Sequence, residues 1–358
     1  MSTTVAGVRI TFTWTPDRPT DQTPDQPDRV YLHVTGVHDH HAAELHHMRR
    51  TGDRWVSTVE IPDGLTASYR IMPVSAADVA RLDPPGPVDT RARWVGLCAH
   101  SVPHVLDHPA WRPATDGASG VLVMPDAPEA SGWDAADIPG WRTGTVGDRR
   151  VWTSVPDGAT HLLVLSDGEN WARTALPAAL DRLRAAGRLP ATAVVAVDTA
   201  ADRVALLSRS QRYRDLIADE VVPLGWRLLG RPHDRTRTVV SGESLGGLSA
   251  LDLVLRRPDA AALVVATSGS FWFPDWREDR PGGEVAEEIR AGGVPTGVRV
   301  HLSVGTGEGH GMPEHARAVH AALRQAGVPA TLEVADHGHE MAAWTGALTR
   351  GLVELLGG

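Results

Sequence analysis

The chain has little cysteine and no long apolar run, and each absence excludes a class of protein. It contains 358 residues and a single cysteine, Cys98, so an internal disulfide framework is excluded. No apolar run approaches the ~18 residues of a membrane span, and Met1–Ile10 lacks the basic start and apolar core of a signal peptide. The sequence therefore predicts a cytoplasmic protein without a membrane segment.

Basic charge is also in short supply. Lysine and arginine total 35 against 44 aspartate and glutamate residues, which gives a formal net charge of -9. Nucleic-acid binding normally requires a basic face, so this function class is disfavoured. A local basic pocket for an anionic ligand is still compatible with the negative net charge. Hydrophobic residues make up 42% and charged residues 22%, the balance of an ordinary globular protein with a packed core.

A histidine-rich loop lacks the residues that usually complete a metal site. No cysteine and no tight acidic frame accompanies its histidines, so we interpret it as a solvated loop, with metal binding as the alternative. We expect no protein-bound metal and no cofactor. The loop histidines are His38, His40, His41, His46 and His47.

The N-terminal part of the chain has the pattern of a small all-β domain. From Val8 to Ile71, short segments that alternate in hydrophobicity or are β-branched are separated by Pro, Gly or Asp, which predicts a β-sandwich. Between Asp83 and Pro113 the sequence becomes Pro-rich and irregular, as in an ordered linker. We therefore place the first domain at residues 1–113.

Residues 114–358 alternate between strand and helix patterns. Such alternation implies βαβ crossovers and a mainly parallel sheet, whose ligand site lies at the carboxyl ends of the strands. This predicts an α/β domain, and the motifs described next favour an α/β-hydrolase catalytic domain. The strands that carry the argument are His161–Leu165, Ala193–Val197, Arg237–Val240, Leu263–Ala266, Val298–Val304 and Thr331–Val334.

A Gly-x-Ser-x-Gly turn is the most informative motif in this domain. The β-branched run Thr238–Val240 leads to Gly242-Glu243-Ser244-Leu245-Gly246, and leucines then recur at helical spacing. A serine held on such a turn at a helix N-terminus is exposed and ready for activation as a nucleophile. The alternative is a serine that only caps the helix.

An acid and a histidine follow the serine in the order found in α/β-hydrolases. His339 lies between the last strand and the last helix, with His337 as the nearby competitor. Glu308 lies in the loop after the preceding strand and would orient the imidazole, with Asp336 in reserve. A lone loop histidine or glutamate would be interpreted as a solvated side chain. The order of serine, acid and histidine after successive strands instead favours a Ser244, His339 and Glu308 triad.

Two backbone N–H groups are candidates for an oxyanion hole. One is the N–H of Leu245, directly after the nucleophile. The second should follow an early strand, and the turn after Leu165 offers the N–H of Glu169, with Gly168 as the alternative. An ordinary β-turn is the other interpretation of that segment.

Taken together, these residues resemble the enterochelin esterase family, cytoplasmic enzymes that cleave the trilactone of ferric catecholate siderophores. The likeness covers most of the chain and includes the N-terminal pattern of Phe12, Trp14 and Trp55. The motifs that carry it are Ser166–Trp171, Gly242–Leu248, Ser268–Trp272, Gly305–Glu308 and Gly338-His339 followed by Trp344.

Two motifs depart from the family pattern. The family often has Gly-Gly-His-Asp at the histidine, where this chain has His337-Gly338-His339-Glu340. The usual Arg-x-x-Glu-Leu is Arg203-Val204-Ala205-Leu206-Leu207 here, which retains the arginine and loses the acid.

The resemblance implies a siderophore esterase whose partner is a catecholate siderophore, with iron only as part of the substrate. A ferric tris-catecholate is a bulky anion with aromatic faces, which suits guanidinium and aromatic side chains. By resemblance Arg203 is the candidate anion-binding residue, while Trp171 and Trp272 would stack on catechol rings or pack within their loops. A broader carboxylesterase or acyltransferase and a non-catalytic siderophore-binding protein are the alternatives.

Overall fold

The computed structural model describes residues 7–16, 27–113, 120–133, 140–275, 277–292 and 294–357. They divide into two compact units. The first comprises Met1–Pro128 and Ala335–Ala343, and the second comprises Glu129–Val334 and Trp344–Gly358.

The first unit contains two antiparallel sheets. Their strand orders are β1-β4-β3 and β2-β5-β7-β6. The elements are β1 (Gly7–Trp14), β2 (Arg29–Val34), β3 (Arg49–Thr51), β4 (Arg54–Pro62), β5 (Thr66–Val74), α1 (Ala76–Leu82), α2 (Thr90–Cys98), β6 (Trp111–Pro113) and β7 (Gly120–Val123).

The two sheets bury one shared apolar core. Alternate residues of β1, including Phe12, face the same cluster as Leu32 on β2 and Tyr69 on β5. The rings of Phe12 and Tyr69 meet edge to face with centroids 5.0 Å apart. Because buried and exposed side chains alternate along β1 and β4, the period-2 pattern in the sequence correctly predicts a β-sandwich.

The segment predicted as an irregular linker is instead part of the first unit. It contains α2, whose N-cap Asp89 accepts a hydrogen bond from the Ala92 N–H at 3.0 Å. Arg93 on this helix is buried and donates to Asp83 at 3.1 Å. The unit continues to Pro128, beyond the predicted boundary at Pro113, because β7 pairs with β5 and β6. Ala114 itself lies outside the described residues.

The second unit is built on an eight-stranded sheet of order β15-β14-β13-β12-β10-β11-β9-β8. Its strands are β8 (Arg142–Val146), β9 (Arg149–Ser154), β10 (His161–Leu165), β11 (Thr192–Val197), β12 (Thr238–Glu243), β13 (Leu263–Thr267), β14 (Arg299–Gly305) and β15 (Ala330–Ala335). Its helices are α3 (Gly168–Trp171), α4 (Leu176–Ala185), α5 (Arg203–Leu207), α6 (Gln211–Asp215), α7 (Val222–Leu229), α8 (Leu245–Arg256), α9 (Gly283–Arg290), α10 (Met312–Gln325) and α11 (Met341–Leu356).

The centre of this sheet is parallel, as predicted. Strands β11, β10, β12, β13 and β14 pair with one another in this order and run parallel, whereas β9 is antiparallel to β11 and β8 to β9. Every residue of β11, β12 and β13 is buried, which explains the apolar or β-branched runs Thr192–Val197, Thr238–Val240 and Leu263–Thr267. The carboxyl ends of the parallel strands therefore meet along one edge of the sheet, where the serine turn and the turn after β10 are found.

The histidine-rich loop forms an aromatic cluster within the first unit. His38 stacks on His46 with ring centroids 4.3 Å apart, and His33 lies 4.4 Å from the Trp94 ring. Burial lowers the pKa of His33 to about 3 and that of His38 to about 4. Among the described residues, no group of three or more His, Cys, Asp or Glu side chains has an arrangement that could hold a metal. In the same residues, no helix has the length and apolar character needed to cross a membrane.

Candidate active site

Ser244 occupies a strained turn between β12 and α8. Its φ and ψ are 59° and -122°, a left-handed backbone that a non-glycine residue adopts only when its surroundings impose it. A Cβ on Gly242 would lie 2.5 Å from the carbonyl carbon of Gly246, so this turn can close only with glycine there. The serine is partly exposed and precedes the first N–H groups of α8, which include that of Leu245.

Ser270 is a neighbour of the nucleophile that the sequence did not single out. Its Oγ lies 3.2 Å from Ser244 Oγ, and its backbone N–H donates to the Ser244 carbonyl oxygen at 2.9 Å. Its side chain is buried. The only signal in the sequence was its place in the Ser268–Trp272 motif.

Glu308 is held in a defined orientation after β14. Its Oε1 accepts a hydrogen bond from the Ser268 hydroxyl at 2.5 Å and another from the Gly305 N–H at 2.7 Å. The side chain is 8% exposed. Buried carboxylates with such partners are positioned groups, and this sets Glu308 apart from a solvated loop residue.

A tryptophan on α11 fixes the serine that holds this carboxylate. The Trp344 indole N–H donates to Ser268 Oγ at 2.8 Å, so the hydrogen bonds run from Trp344 through Ser268 to Glu308. The Trp344 side chain is itself buried. Its polar contact is a second role that helical spacing does not reveal.

The turn that carries His339 is packed within the first unit. Asp336 accepts a hydrogen bond from the Thr66 N–H on β5 through its carbonyl oxygen at 3.0 Å. A Cβ on Gly338 would lie 2.6 Å from the backbone nitrogen of Gly36, so the two backbones touch and neither glycine can be replaced without movement. His339 itself is exposed.

The competitor His337 has a different environment. It is buried, and its Nδ1 lies 2.8 Å from the Gly338 carbonyl oxygen. A general base must reach the proton that it abstracts, so the exposed His339 is the better candidate of the two.

Glu340, which replaces the aspartate of the family pattern, reaches back to β5. Its Oε1 accepts from the Ser68 N–H at 2.8 Å, and the Ser68 hydroxyl donates to Oε2. Burial raises the pKa of Glu340 to about 7, against the lowering effect of these hydrogen bonds. The carboxyl group next to His339 is thus anchored to the sandwich.

The turn after β10, which is predicted to supply an oxyanion donor, is closely packed and has a strained backbone. Helix α3 begins at Gly168, where a Cβ would lie 2.7 Å from the carbonyl carbon of Ala196, and Asp167 before it has φ 53°. Burial raises the pKa of Glu169, against the lowering effect of the hydrogen bond that its carboxylate accepts from the Thr199 N–H at 3.1 Å. Gly168 stays the alternative donor.

Two of the predicted substrate-binding side chains have protein partners. Trp171 is 1% exposed and donates its indole N–H to Glu243 Oε2 at 3.2 Å, so the prediction that it stacks on a ligand is wrong for this conformation. Arg203 makes a double hydrogen bond to the buried Asp167, at 2.7 and 2.8 Å. Its guanidinium is therefore engaged by the protein rather than presented as an open anion site.

The third predicted residue, Trp272, is partly exposed. Its ring centroid lies 5.9 Å from that of His310 and 6.1 Å from that of Phe273. It also packs against the small cluster of Val304, Met312 and Ala316. Of the two tryptophans, only Trp272 retains the accessible surface needed to stack on an aromatic ligand.

Glu243, the variable residue of the Gly-x-Ser motif, is a buried carboxyl group. It is 1% exposed, and within the described residues its Oε1 has no hydrogen-bond partner. Burial first, and the nearby Asp167 second, raise its pKa well above the usual range of a glutamate. Burial therefore favours the neutral form of the group directly before the nucleophile.

Comparisons with known proteins find relatives along nearly the whole chain. Residues 9–133 match the family model described as enterochelin esterase, N-terminal, and residues 150–355 match that described as putative esterase. The iron(III) enterobactin esterase of Escherichia coli K12 is 30% identical over 347 residues, covering 91% of this chain and 86% of the relative. The chain belongs to the enterochelin esterase family.

Relatives of the enterochelin esterase family also match by sequence and by structure. The iron(III) enterobactin esterase of Dickeya dadantii is 30% identical over 98% of this chain and 88% of the relative. The ferric enterobactin esterase from Salmonella typhimurium superposes with a TM-score of 0.81 at 29% identity, covering 97% of this chain and 93% of that one. The Shigella flexneri enterobactin esterase, solved in the presence of enterobactin, gives a TM-score of 0.79 at 28% identity, covering 97% and 92%.

Membership in the enterochelin esterase family makes this protein a carboxylic ester hydrolase. It also confirms the predicted fold, an α/β-hydrolase domain preceded by a β-sandwich. The Gly-x-Ser-x-Gly turn lies within the matched esterase region, and the Phe12 and Tyr69 core lies within the matched N-terminal region.

Proposed function

We propose that this protein is a siderophore esterase that hydrolyses the trilactone ester bonds of enterobactin-like catecholate siderophores. The observation that carries the proposal is the strained Ser244 turn, set in a chain whose relatives along most of its length are enterobactin esterases. The iron(III) salmochelin esterase of Escherichia coli, which is 29% identical over 97% of this chain, supports the same substrate class.

The proposed mechanism is acyl transfer through Ser244. Its hydroxyl oxygen attacks a lactone carbonyl carbon while His339 accepts the hydroxyl proton. His339 then returns this proton to the leaving alkoxide of the siderophore backbone, and an acyl-enzyme forms. Water, deprotonated in turn by His339, attacks the acyl carbon and releases the acid together with free Ser244.

The other groups stabilise this sequence. Glu308 accepts the second imidazole N–H, fixes the tautomer and stabilises the imidazolium form of His339. The N–H of Leu245, together with that of Glu169 or Gly168, donates to the oxygen that becomes negative in the tetrahedral intermediate. Glu308 is buried and held by hydrogen bonds from Ser268 and Gly305, which favours it over Asp336 as the acid.

Substrate recognition is proposed to use the exposed face of Trp272 against a catechol ring. Stacking on an aromatic side chain suits a ligand with several aromatic faces. Iron enters and leaves as part of the substrate, so the reaction needs no cofactor and no resident metal. The cytoplasm is the proposed compartment, and fractionation of cells followed by immunodetection tests it.

The decisive experiment follows linear products after incubation with enterobactin in its ferric form and in its iron-free form. Wild-type protein should open the trilactone, and Ser244→Ala should abolish turnover. Activity that survives in Ser244→Ala would refute the mechanism. Turnover of simple aryl esters with none of the trilactone would instead indicate a general carboxylesterase, and tight binding without turnover would indicate a siderophore-binding protein.

A further inference from the structure

The ion pair between Arg203 and Asp167 stands directly beside the proposed oxyanion site. Arg203 Nε donates to Asp167 Oδ1 at 2.7 Å and Nη2 donates to Oδ2 at 2.8 Å, which is the parallel double geometry of a guanidinium on a carboxylate. Asp167 is fully buried, whereas the Arg203 side chain is 32% exposed. The pair therefore has one end in the protein interior and the other near its surface.

The same guanidinium also contacts the serine turn. Arg203 Nη2 donates to the carbonyl oxygen of Glu243 at 3.3 Å. Glu243 directly precedes Ser244, and Asp167 directly precedes the Gly168 turn. One side chain thus joins the two backbone segments that supply the proposed oxyanion donors, the N–H of Leu245 on one side and that of Glu169 or Gly168 on the other.

Thr199 adds a second connection to the Gly168 turn. Its hydroxyl donates to Asp167 Oδ1 at 2.5 Å, and its N–H donates to Glu169 Oε2 at 3.1 Å. Arg203 and Thr199 both follow β11, so the segment after this strand fixes the turn after β10. Two neighbouring elements of the sheet edge are held in register by side chains rather than by backbone pairing.

The Gly168 turn needs such support. Asp167 adopts φ 53°, a conformation that persists only where surrounding contacts determine it. Its carboxylate is out of water, and a buried charge without a partner is strongly unfavourable. Oxyanion donors also have to be fixed to within a fraction of an ångström to act in the transition state.

We infer that Arg203 is a positioning residue that sets the geometry of the oxyanion hole, and that its main task is not to bind the anionic substrate. This inference rests on the proposed function of Ser244. It assigns to Arg203 an effect on the chemical step with every ester, whether the substrate carries negative charge or not.

The experiment compares Arg203→Lys on two substrates, a neutral aryl ester and a ferric catecholate trilactone. Lysine retains the positive charge but cannot form the double hydrogen bond to Asp167. We expect kcat to fall by about 10–100-fold on both substrates, because a small misplacement of catalytic donors has an effect of that size. KM should change little on either. Arg212→Lys, at an exposed guanidinium paired with Asp148, is the matched control and should leave both parameters unchanged.

A neutral aryl trifluoromethyl ketone gives a readout that does not depend on turnover. Addition of Ser244 Oγ to its carbonyl carbon places an oxyanion in the hole, so its inhibition constant should rise in Arg203→Lys by the same factor by which kcat falls. The double variant Arg203→Met/Asp167→Asn removes both charges. It should fold and melt closer to wild type than Arg203→Met, in which the buried Asp167 loses its cation.

The inference is overturned if Arg203→Lys leaves kcat and inhibitor binding unchanged. It is equally overturned if the only effect is a KM increase of about tenfold for the anionic trilactone, since that is the result for a direct anion clamp. Failure of the proposed function has a different signature: wild-type protein then has no trilactone activity, or Ser244→Ala retains it.

Discussion

The hydroxyl of Ser268 connects Trp344 to Glu308, and its removal tests whether that connection serves catalysis. Ser268→Ala deletes the hydrogen bond to Glu308 Oε1 at 2.5 Å and the one from Trp344 Nε1 at 2.8 Å. A hydrogen bond to a charged group contributes about 1.5–3 kcal/mol and a neutral one about 0.5–1.5 kcal/mol. The free energy of unfolding should therefore fall by roughly 2–4.5 kcal/mol, the sum of the two.

The same variant should lower kcat. If the contact with Glu308 is used to orient the carboxylate toward the imidazole, its loss of about 1.5–3 kcal/mol corresponds to a decrease of about 10–100-fold. The Gly305 N–H still donates to the same oxygen at 2.7 Å and keeps part of the orientation, so the decrease in kcat should not exceed this range. KM should not change, because Ser268 is fully buried.

Two matched variants separate the hydroxyl from other effects. Ser303→Ala removes a buried hydroxyl on β14 that has no hydrogen-bond partner within the described residues, and it should be neutral for activity. Ser268→Gly removes the same hydroxyl as Ser268→Ala but relaxes the backbone at φ 49°, so its kcat should fall equally. Urea unfolding and aryl-ester kinetics measure the two quantities. A Ser268→Ala enzyme with kcat within twofold of wild type would refute the reasoning.

Three other substitutions test the surroundings of the nucleophile. Glu243→Gln should become more stable relative to wild type as pH rises from 5 to 9, because a raised carboxyl pKa lowers the free energy of unfolding of the wild type over this range. Urea titrations measure the difference, and parallel curves for the two proteins would contradict a neutral Glu243. Gly168→Ala places a Cβ 2.7 Å from the Ala196 carbonyl carbon, so kcat should fall and the free energy of unfolding should drop by about 1–3 kcal/mol. An unperturbed enzyme would show that the turn is not held closely. Ser270→Ala keeps its backbone hydrogen bond to Ser244 and should reduce kcat only about 2–10-fold in steady-state assays, whereas full loss of activity would make its hydroxyl essential.

The sequence predicts those features that depend on local pattern. The serine turn is recognisable because a buried β-branched strand, two glycines and a leucine-rich helix lie within a few residues of each other. The place of Glu308 after β14 follows from chain order in a parallel sheet. The sandwich follows from the alternation of buried and exposed residues along β1 and β4.

Features that depend on distant partners are not visible in the same way. The sequence alone does not distinguish a site-loop tryptophan that stacks on a ligand from one that, like Trp171, donates to a carboxyl group on another strand. The role of Arg203 depends on Asp167, a residue 36 positions away. The boundary at Pro113 came from proline content, whereas the true extent of the first unit depends on the pairing of the four-residue strand β7.

The departure at the histidine motif has a physical explanation in the first unit. Gly338 is retained because its backbone touches Gly36, which leaves no room for a Cβ. Glu340 in place of the shorter aspartate accepts hydrogen bonds from both the N–H and the hydroxyl of Ser68. The altered motif therefore retains an anchored carboxyl group beside His339.

Three carboxyl groups crowd the serine turn, and their charge states determine whether an oxyanion can form there. Full ionisation of Asp167, Glu169 and Glu243 would repel a developing negative charge. The structure avoids this in two ways: burial raises the pKa of Glu169 and Glu243, and Arg203 neutralises Asp167. The guanidinium thus has an electrostatic effect in the same direction as its geometric one, because its loss would both release the Gly168 turn and leave a buried negative charge beside the oxyanion hole. Both effects act on the transition state, and this is why the predicted loss on replacing Arg203 lies in kcat for neutral and anionic esters alike.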